Sequence, residues 1–191
     1  HDGQDMGCVE LSVSGEHNVL NSLAAISAAE ICGVDFKTSA AILHDFHGSE
    51  RRMQVKGERD GVLVMDDYAH HPSEIRATLK AVRSIYPDRR LVVIYQPHRF
   101  SRTAMFAGDI AQALSMADEI FLLPVYSAGE KVIEHSSSEE IISHSKGQAN
   151  IQAVNFDNAA EVLKDTLKAG DIFLTMGAGD VYKLGEILLS F

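Results

Sequence analysis

Residues 8–14 alternate as Cys8-Val9-Glu10-Leu11-Ser12-Val13-Ser14, the period of a half-buried strand. Gly15-Glu16-His17-Asn18 interrupts the alternation. From Val19 to Ile31 the apolar positions Leu20, Leu23, Ala24, Ile26, Ala28 and Ile31 recur at helical spacing, and Gly33 ends the run. A second, short helix is predicted over 37–46. The segment Phe46-His47-Gly48-Ser49-Glu50-Arg51-Arg52 is polar, contains glycine and separates two kinds of pattern. A domain boundary is placed there, with residues 1–50 before it and 51–191 after it.

Beyond the boundary, strand and helix patterns alternate. Met53–Gly57 and Gly61–Met65 flank Glu58-Arg59-Asp60-Gly61, a hairpin signal. Pro72 suits the first turn of a helix running to about Tyr86, and Pro87-Asp88 stops it. Leu91-Val92-Val93-Ile94-Tyr95 is continuously apolar, as in a parallel strand buried on both faces. The pattern then predicts a helix over 103–116, a strand over 119–123, a loop to Ser136, and a helix near 138–146. A strand over 151–154, a helix over 157–168, a strand over 171–175 and a helix over 180–189 close the chain. Such alternation predicts an α/β fold with a parallel sheet covered by helices on both faces. Residues 53–191 suffice for an independent core, whereas 1–50 alone are marginal and are expected to be part of a larger domain.

Composition narrows the function classes. The chain has 191 residues, 46% of them apolar, and a formal net charge of −10. An acidic balance argues against a nonspecific nucleic-acid surface, which needs clustered Lys and Arg. It leaves room for a local arginine pocket that holds an anionic small ligand. No apolar run approaches the ~20 residues of a membrane span, and the start carries no secretory pattern. Cys8 and Cys32 lack metal-ligand spacing and point to a reducing compartment. The opening His1-Asp2-Gly3 has no Met and suggests a fragment. The oligomeric state is not legible.

Candidate chemistry gathers at strand exits, where open α/β sheets bind ligands. The first exit is Asp66-Asp67-Tyr68-Ala69-His70-His71-Pro72-Ser73-Glu74, with acids, a phenol and two imidazoles. The second is Gln96-Pro97-His98-Arg99-Phe100-Ser101-Arg102-Thr103. Arg99 and Arg102, three apart at a helix entry, can face the same way, and guanidinium grips a carboxylate or phosphate at two points. Alternatively the pair forms weak surface salt bridges. Met176-Gly177-Ala178-Gly179-Asp180 either lets backbone N–H groups approach a ligand at a helix start or is simply a tight turn. Asn18 and Asn21 lie three apart at a helix start, where Asn18 reads as a cap and the two together as a purine contact. His70 and His71 are adjacent and diverge, so no metal site is expected. No GxxxxGK[ST] loop is present among these residues, so none of them holds ATP phosphates in the P-loop manner.

Six motifs, in this order, resemble one family, the Mur ligases of bacterial cell-wall synthesis. They are Gly15–Asn21 with Leu23-Ala24-Ala25, Phe46-x-Gly48-x-x-Arg51-Arg52, Asp66–Pro72, Gln96–Thr103, Val125-Tyr126-x-Ala128-Gly129-Glu130, and Met176–Asp180. They span nearly the whole chain. The resemblance implies that residues 51–191 form the C-terminal, amino-acid-binding domain of a cytoplasmic bacterial enzyme. That domain is a Rossmann-like, doubly wound, mostly parallel sheet. Residues 1–50 would be the helical tail of the central ATP-binding domain, and the 47–52 linker a hinge. The implied partners are ATP, UDP-N-acetylmuramate and L-alanine, with Mg²⁺ held mainly by parts of the parent enzyme outside this chain. The implied chemistry is ATP-dependent amide formation through an acyl phosphate. By the same resemblance Asn18 and Asn21 look like adenine contacts, Arg52 like an ATP-contacting arginine, and Asp67 like a ribose-hydroxyl acceptor. Tyr68, His70, His98, Arg99 and Arg102 look like the amino-acid pocket, with His70 or His98 acting on the amine. The His-His-Pro form also fits a murein-peptide recycling ligase, and a non-catalytic binding module is a third reading. By itself the chain is expected to be inactive.

Overall fold

The computed structural model describes residues 3–13, 15–145, 147 and 150–190. The chain divides into two compact units, 1–50 and 51–191.

Among its described residues the first unit holds two helices, α1 (Glu16–Ile31) and α2 (Phe36–His44). Asp35 caps α2 by accepting from the Thr38 N–H. Helix α1 mixes apolar and polar residues around its circumference, with Ser22 and Ile26 buried and Leu20, Leu23 and Ile31 exposed. Gly15 is its N-cap, with its carbonyl accepting from Asn18 and Val19 N–H, so α1 starts three residues before the predicted Val19. The strand expected over 8–14 does not form among the described residues of that stretch. Val9, Leu11 and Val13 keep the alternating half-burial, but among the described residues of this unit no neighbouring strand supplies a ladder. Its last residue, Ser14, and Lys146 at the end of the predicted 138–146 helix lie outside the described residues.

The second unit is an α/β sandwich. Its elements are β1 (Gln54–Arg59), β2 (Val62–Asp67), α3 (Pro72–Ile85), β3 (Leu91–Tyr95), α4 (Phe100–Leu114), β4 (Glu119–Leu122), α5 (Ser138–His144), β5 (Asn150–Ala153), α6 (Phe156–Thr166), β6 (Ile172–Met176) and α7 (Tyr182–Ser190). The sheet order is β1-β2-β6-β3-β4-β5. All pairs are parallel except β1–β2, a hairpin closed by Asp60-Gly61 with positive φ at both residues (51° and 78°). That is the two-residue turn whose twist matches the strands, and Asp-Gly is its favoured sequence.

The strands β2, β3 and β6 are buried along their whole length, which explains their unbroken apolar runs. Alternate side chains feed two cores. Met65, Val93, Tyr95, Leu122 and Leu174 pack with α3, α4 and α5 on one face. Val64, Val92, Ile94, Phe121 and Phe173 pack with α6 and α7 on the other. The last strand, β6, inserts between β2 and β3. The chain therefore leaves β3 for one face and the adjacent β6 for the other, which opens a crevice at their carboxyl ends.

Candidate functional site

The exits of β2, β3, β4 and β6 converge on that crevice. Its floor is stitched by Gln96. The Gln96 N–H donates to the Met176 carbonyl at 2.9 Å, and its Oε1 accepts from the Val181 N–H at 3.1 Å. Gly177 and Gly179 are small because Gln96 fills the space. A Cβ on Gly177 would stand 2.6 Å from the Gln96 carbonyl oxygen, and one on Gly179 would overlap the Gln96 amide. This glycine pair makes a tight turn against Gln96.

The β2 exit is held by carboxylates. Asp67 is 2% exposed, and its two oxygens accept the N–H groups of Met53 and Ala69, each at 2.7 Å. Burial pushes its carboxyl above the usual range, and those bonds oppose the shift. A carboxylate has about four acceptor positions, and the Thr78 side chain also bonds Asp67, so about one position is left. Asp66 is 1% exposed, accepts from the Thr175 hydroxyl at 2.6 Å and pairs with Arg51 Nε at 2.9 Å. Arg51 also donates to the Gly177 carbonyl at 2.6 Å and lies between the Tyr68 and Tyr182 rings. Arg52, by contrast, is exposed, with its guanidinium 5.9 Å from the Tyr68 ring centroid.

Four aromatic rings form a row across three exits. Tyr68 meets His70 edge-on at 5.4 Å, His70 meets His98 at 5.8 Å, and His98 stacks on Tyr126 at 5.5 Å. His70 Nδ1 lies 3.0 Å from the Tyr68 carbonyl. A carbonyl only accepts, so Nδ1 carries a proton, and in the uncharged form of the ring Nε2 is the acceptor. Glu74 accepts both the His70 and His71 N–H groups at 3.1 Å. Burial alone would raise its carboxyl. These bonds and the neighbouring His70 and Arg52 charges outweigh burial and hold it below the usual range. His71 turns away as the α3 cap and packs on Phe106. From below, the wholly buried Tyr95 hydroxyl donates to the His70 carbonyl at 3.3 Å, and burial keeps that phenol protonated.

The Arg102 guanidinium sits 3.4 Å from His98 Nδ1. Burial, followed by the charges of His70, Arg102 and Arg99, lowers the His98 pKa and favours the neutral imidazole. Arg99 occupies the α4 N-cap with φ 71° and turns toward Glu130, its Nη1 3.9 Å from Glu130 Oε1. The two arginines thus flank His98 but point to different neighbours. Helix α4 begins at Phe100, three residues before the predicted Thr103, because Glu130 satisfies its open first turn.

Tyr68, His70, His98 and Arg102 are therefore brought together, Arg99 and Arg52 lie at the edges, and Asp67 lies beneath. Asn18 and Asn21 are in the first two turns of α1 in the other unit, and Gly15 takes the cap position once read for Asn18. Sequence reasoning gave no role to Arg51, Gln96, Tyr126 or Glu130. Arg51, Tyr126 and Glu130 stand inside the matched motifs, and Gln96 opens one. Among the described residues no group of three His, Cys, Asp or Glu is placed to hold a metal ion, and no helix is long and apolar enough to cross a membrane.

Comparison with known proteins shows the family and the fold. Residues 51–179 match the family model described as Mur ligase, glutamate ligase domain. The UDP-N-acetylmuramate–L-alanine ligase of Dictyoglomus turgidum is 48% identical over 192 residues, covering 98% of this chain and 41% of the relative. That of Desulforapulum autotrophicum is 43% identical, covering 99% and 42%. The solved UDP-N-acetylmuramate–alanine ligase of Thermotoga maritima superposes with a TM-score of 0.81 at 29% identity, covering 99% of this chain and 40% of that one. A murein peptide ligase from Psychrobacter arcticus gives 0.75 at 30%, covering 95% and 38%. The chain thus spans about two-fifths of the length of the curated relatives it matches.

Proposed function

The chain belongs to the Mur ligase family, and from that premise we propose that it is the C-terminal portion of an ATP-dependent ligase that joins L-alanine to UDP-N-acetylmuramate in the bacterial cytoplasm. The observation that carries this reading is the row Tyr68–His70–His98 with Arg102 against it, at the carboxyl ends of β2 and β3.

A carboxylate is a poor electrophile. In the proposed reaction the lactyl carboxylate of the sugar nucleotide takes the γ-phosphoryl group of ATP, which leaves as ADP. The alanine amine attacks the resulting acyl phosphate, the new C–N bond forms, the C–O bond to phosphate breaks, and phosphate departs. Two tasks fall to this chain. Arg102 and Arg99 hold the alanine carboxylate, because guanidinium offers paired N–H donors to it. His70 Nε2, with its lone pair free in the Nδ1–H tautomer, accepts the proton that the alanine ammonium must lose before it attacks. His98, whose pKa is lowered by burial and then by its cationic neighbours, stands beside Arg102 as a ring that favours the uncharged form. Tyr68 walls the pocket.

Asn18 and Asn21 are proposed as adenine contacts, Arg52 as an ATP contact, and Asp67 as a ribose acceptor through its remaining acceptor position. Magnesium accompanies ATP in such chemistry. The described residues provide no donor set for it, and no step is derived through it.

The test is phosphate release by the full-length ligase with ATP, Mg²⁺ and UDP-N-acetylmuramate. Release that depends on L-alanine supports this reading. Release that depends on the tripeptide L-Ala-γ-D-Glu-meso-diaminopimelate instead would assign the recycling reaction, in line with the likeness to the murein peptide ligase. Release with neither, from a folded sample, would leave a binding module.

A further inference from the structure

We propose that Glu130 is a positioning residue for the amino-acid pocket, which fixes Arg99 and the first turn of α4 from the strap Pro124–Glu130 that follows β4. This rests on the amino-acid-pocket reading above.

Arg99 does not hold its own place. As N-cap of α4 it makes no side-chain capping bond, and its backbone has φ 71° and ψ 132°. A residue with a Cβ is strained there and stays only if its surroundings over-determine it. The strap supplies those surroundings. The Arg99 N–H donates to the Tyr126 carbonyl and the Tyr126 N–H to the Pro97 carbonyl, both at 2.8 Å, so His98 and Tyr126 pair as a short parallel bridge. The Tyr126 ring lies within 9° of parallel to His98. At its far end the strap turns back on itself, the Glu130 N–H donating to the Ser127 carbonyl at 3.0 Å. Glu130 then reaches α4. Its Oε2 accepts the Ser101 N–H at 3.0 Å, and its Oε1 accepts the Ser101 hydroxyl at 2.8 Å and faces Arg99 Nη1 at 3.9 Å.

Glu130 thus performs the capping that Arg99 cannot. The Ser101 N–H bond, then the Ser101 hydroxyl, and more weakly the Arg99 charge hold its carboxyl below the usual range, so it stays ionised at neutral pH. A carboxylate at this position also fills the positive end of α4. An incoming amino-acid carboxylate is therefore left to the arginine side chains instead of the helix end.

The experiment compares Glu130→Ala and Glu130→Gln in the full-length ligase, by steady-state kinetics and thermal unfolding. Glu130→Ala is expected to raise the alanine KM about tenfold, the scale of one lost charge-assisted bond. The ATP and UDP-N-acetylmuramate KM values should change less than about twofold. Glu130→Gln keeps an oxygen for the Ser101 N–H and loses the charge, so its alanine KM should lie between the two. An unmoved alanine KM in Glu130→Ala, or KM values rising together for all three substrates, would overturn the positioning role. If Glu130→Ala does not fold, an alanine KM in Glu130→Gln equal to that of the parent would overturn it as well. Failure of the unaltered enzyme to release phosphate with alanine would instead overturn the functional reading beneath it.

Discussion

Replacing Asp66 by Asn is the sharpest test of what holds the crevice together. Asp66 is 1% exposed and accepts from Thr175 and Arg51, while Arg51 reaches on to the Gly177 carbonyl. The network therefore ties the exits of β2 and β6 to the residue that opens the second unit. Asn keeps the shape and one acceptor oxygen for Thr175, but it leaves Arg51 without a counter-charge. Removing one partner of a buried pair costs about 3–5 kcal/mol. The Arg51 side chain is 22% exposed, so water recovers part of this, and a loss of about 2–3 kcal/mol is expected, in line with a charged hydrogen bond. Against a total stability of roughly 5–15 kcal/mol that is a large fraction. Urea unfolding of this chain, followed by circular dichroism, should show an unchanged slope and a midpoint lower by about 1–2 M, given slopes of about 1–3 kcal/mol per M. Arg51→Met and the double variant complete a cycle, with a coupling of at least about 1 kcal/mol expected. A midpoint shift below about 0.3 M, or no coupling, would refute the reasoning.

Three further outcomes follow from the same geometry. Gly177→Ala should lower the melting temperature by several degrees, because its Cβ would meet the Gln96 carbonyl oxygen at 2.6 Å and its φ of 139° disfavours a side chain; an unchanged melting curve would contradict the packing. The His98 ring, followed by NMR, should titrate below the ordinary 6.5, and Arg102→Ala should move it upward by removing a neighbouring charge. Because the unfolded chain then binds the proton more readily, His98 takes stability away as pH falls from 6.5 toward its folded value; titration at or above 6.5 would contradict this. Asp171 is pushed up by burial, but its Arg90 bonds and the Lys168 N–H bring it below 3.8, so the stability it adds is lost as pH falls through that lowered value. Asp171→Asn should therefore flatten the urea midpoint's dependence on pH below about 4, and an unaltered acid slope would remove Asp171 from that role.

Much of the second unit was legible from local pattern. Leu91–Tyr95 reads as a buried strand and is one, Asp60-Gly61 makes the predicted hairpin, and Pro72 opens the predicted helix. These features depend on neighbours within a few residues. The insertion of β6 between β2 and β3 does not, since any parallel order would give the same apolar runs. The strand read over 8–14 failed because alternation specifies a face and not a partner. Helix α4 starts early because its first turn is capped by Glu130, 29 residues from Ser101. Arg51 was passed over for a similar reason, as its partner Gly177 lies 126 residues away. The exits bearing Tyr68, His70, His98 and Arg102 could be picked out because polar residues crowd the ends of apolar strands. Which of those side chains touch is set by the sheet order.

The most direct test of the central claim, that these exits hold an amino-acid carboxylate between arginines, is a comparison of L-alanine with L-alaninamide in the full-length ligase and its Arg102→Ala variant, by phosphate release. The amide keeps the amine and the methyl group and lacks the negative charge. The unaltered enzyme should favour alanine by about 10- to 100-fold in kcat/KM, the worth of a charged two-point contact of about 1.5–3 kcal/mol, and the variant should lose most of that preference. Equal use of the two compounds by the unaltered enzyme, or a preference that survives Arg102→Ala intact, would contradict the account.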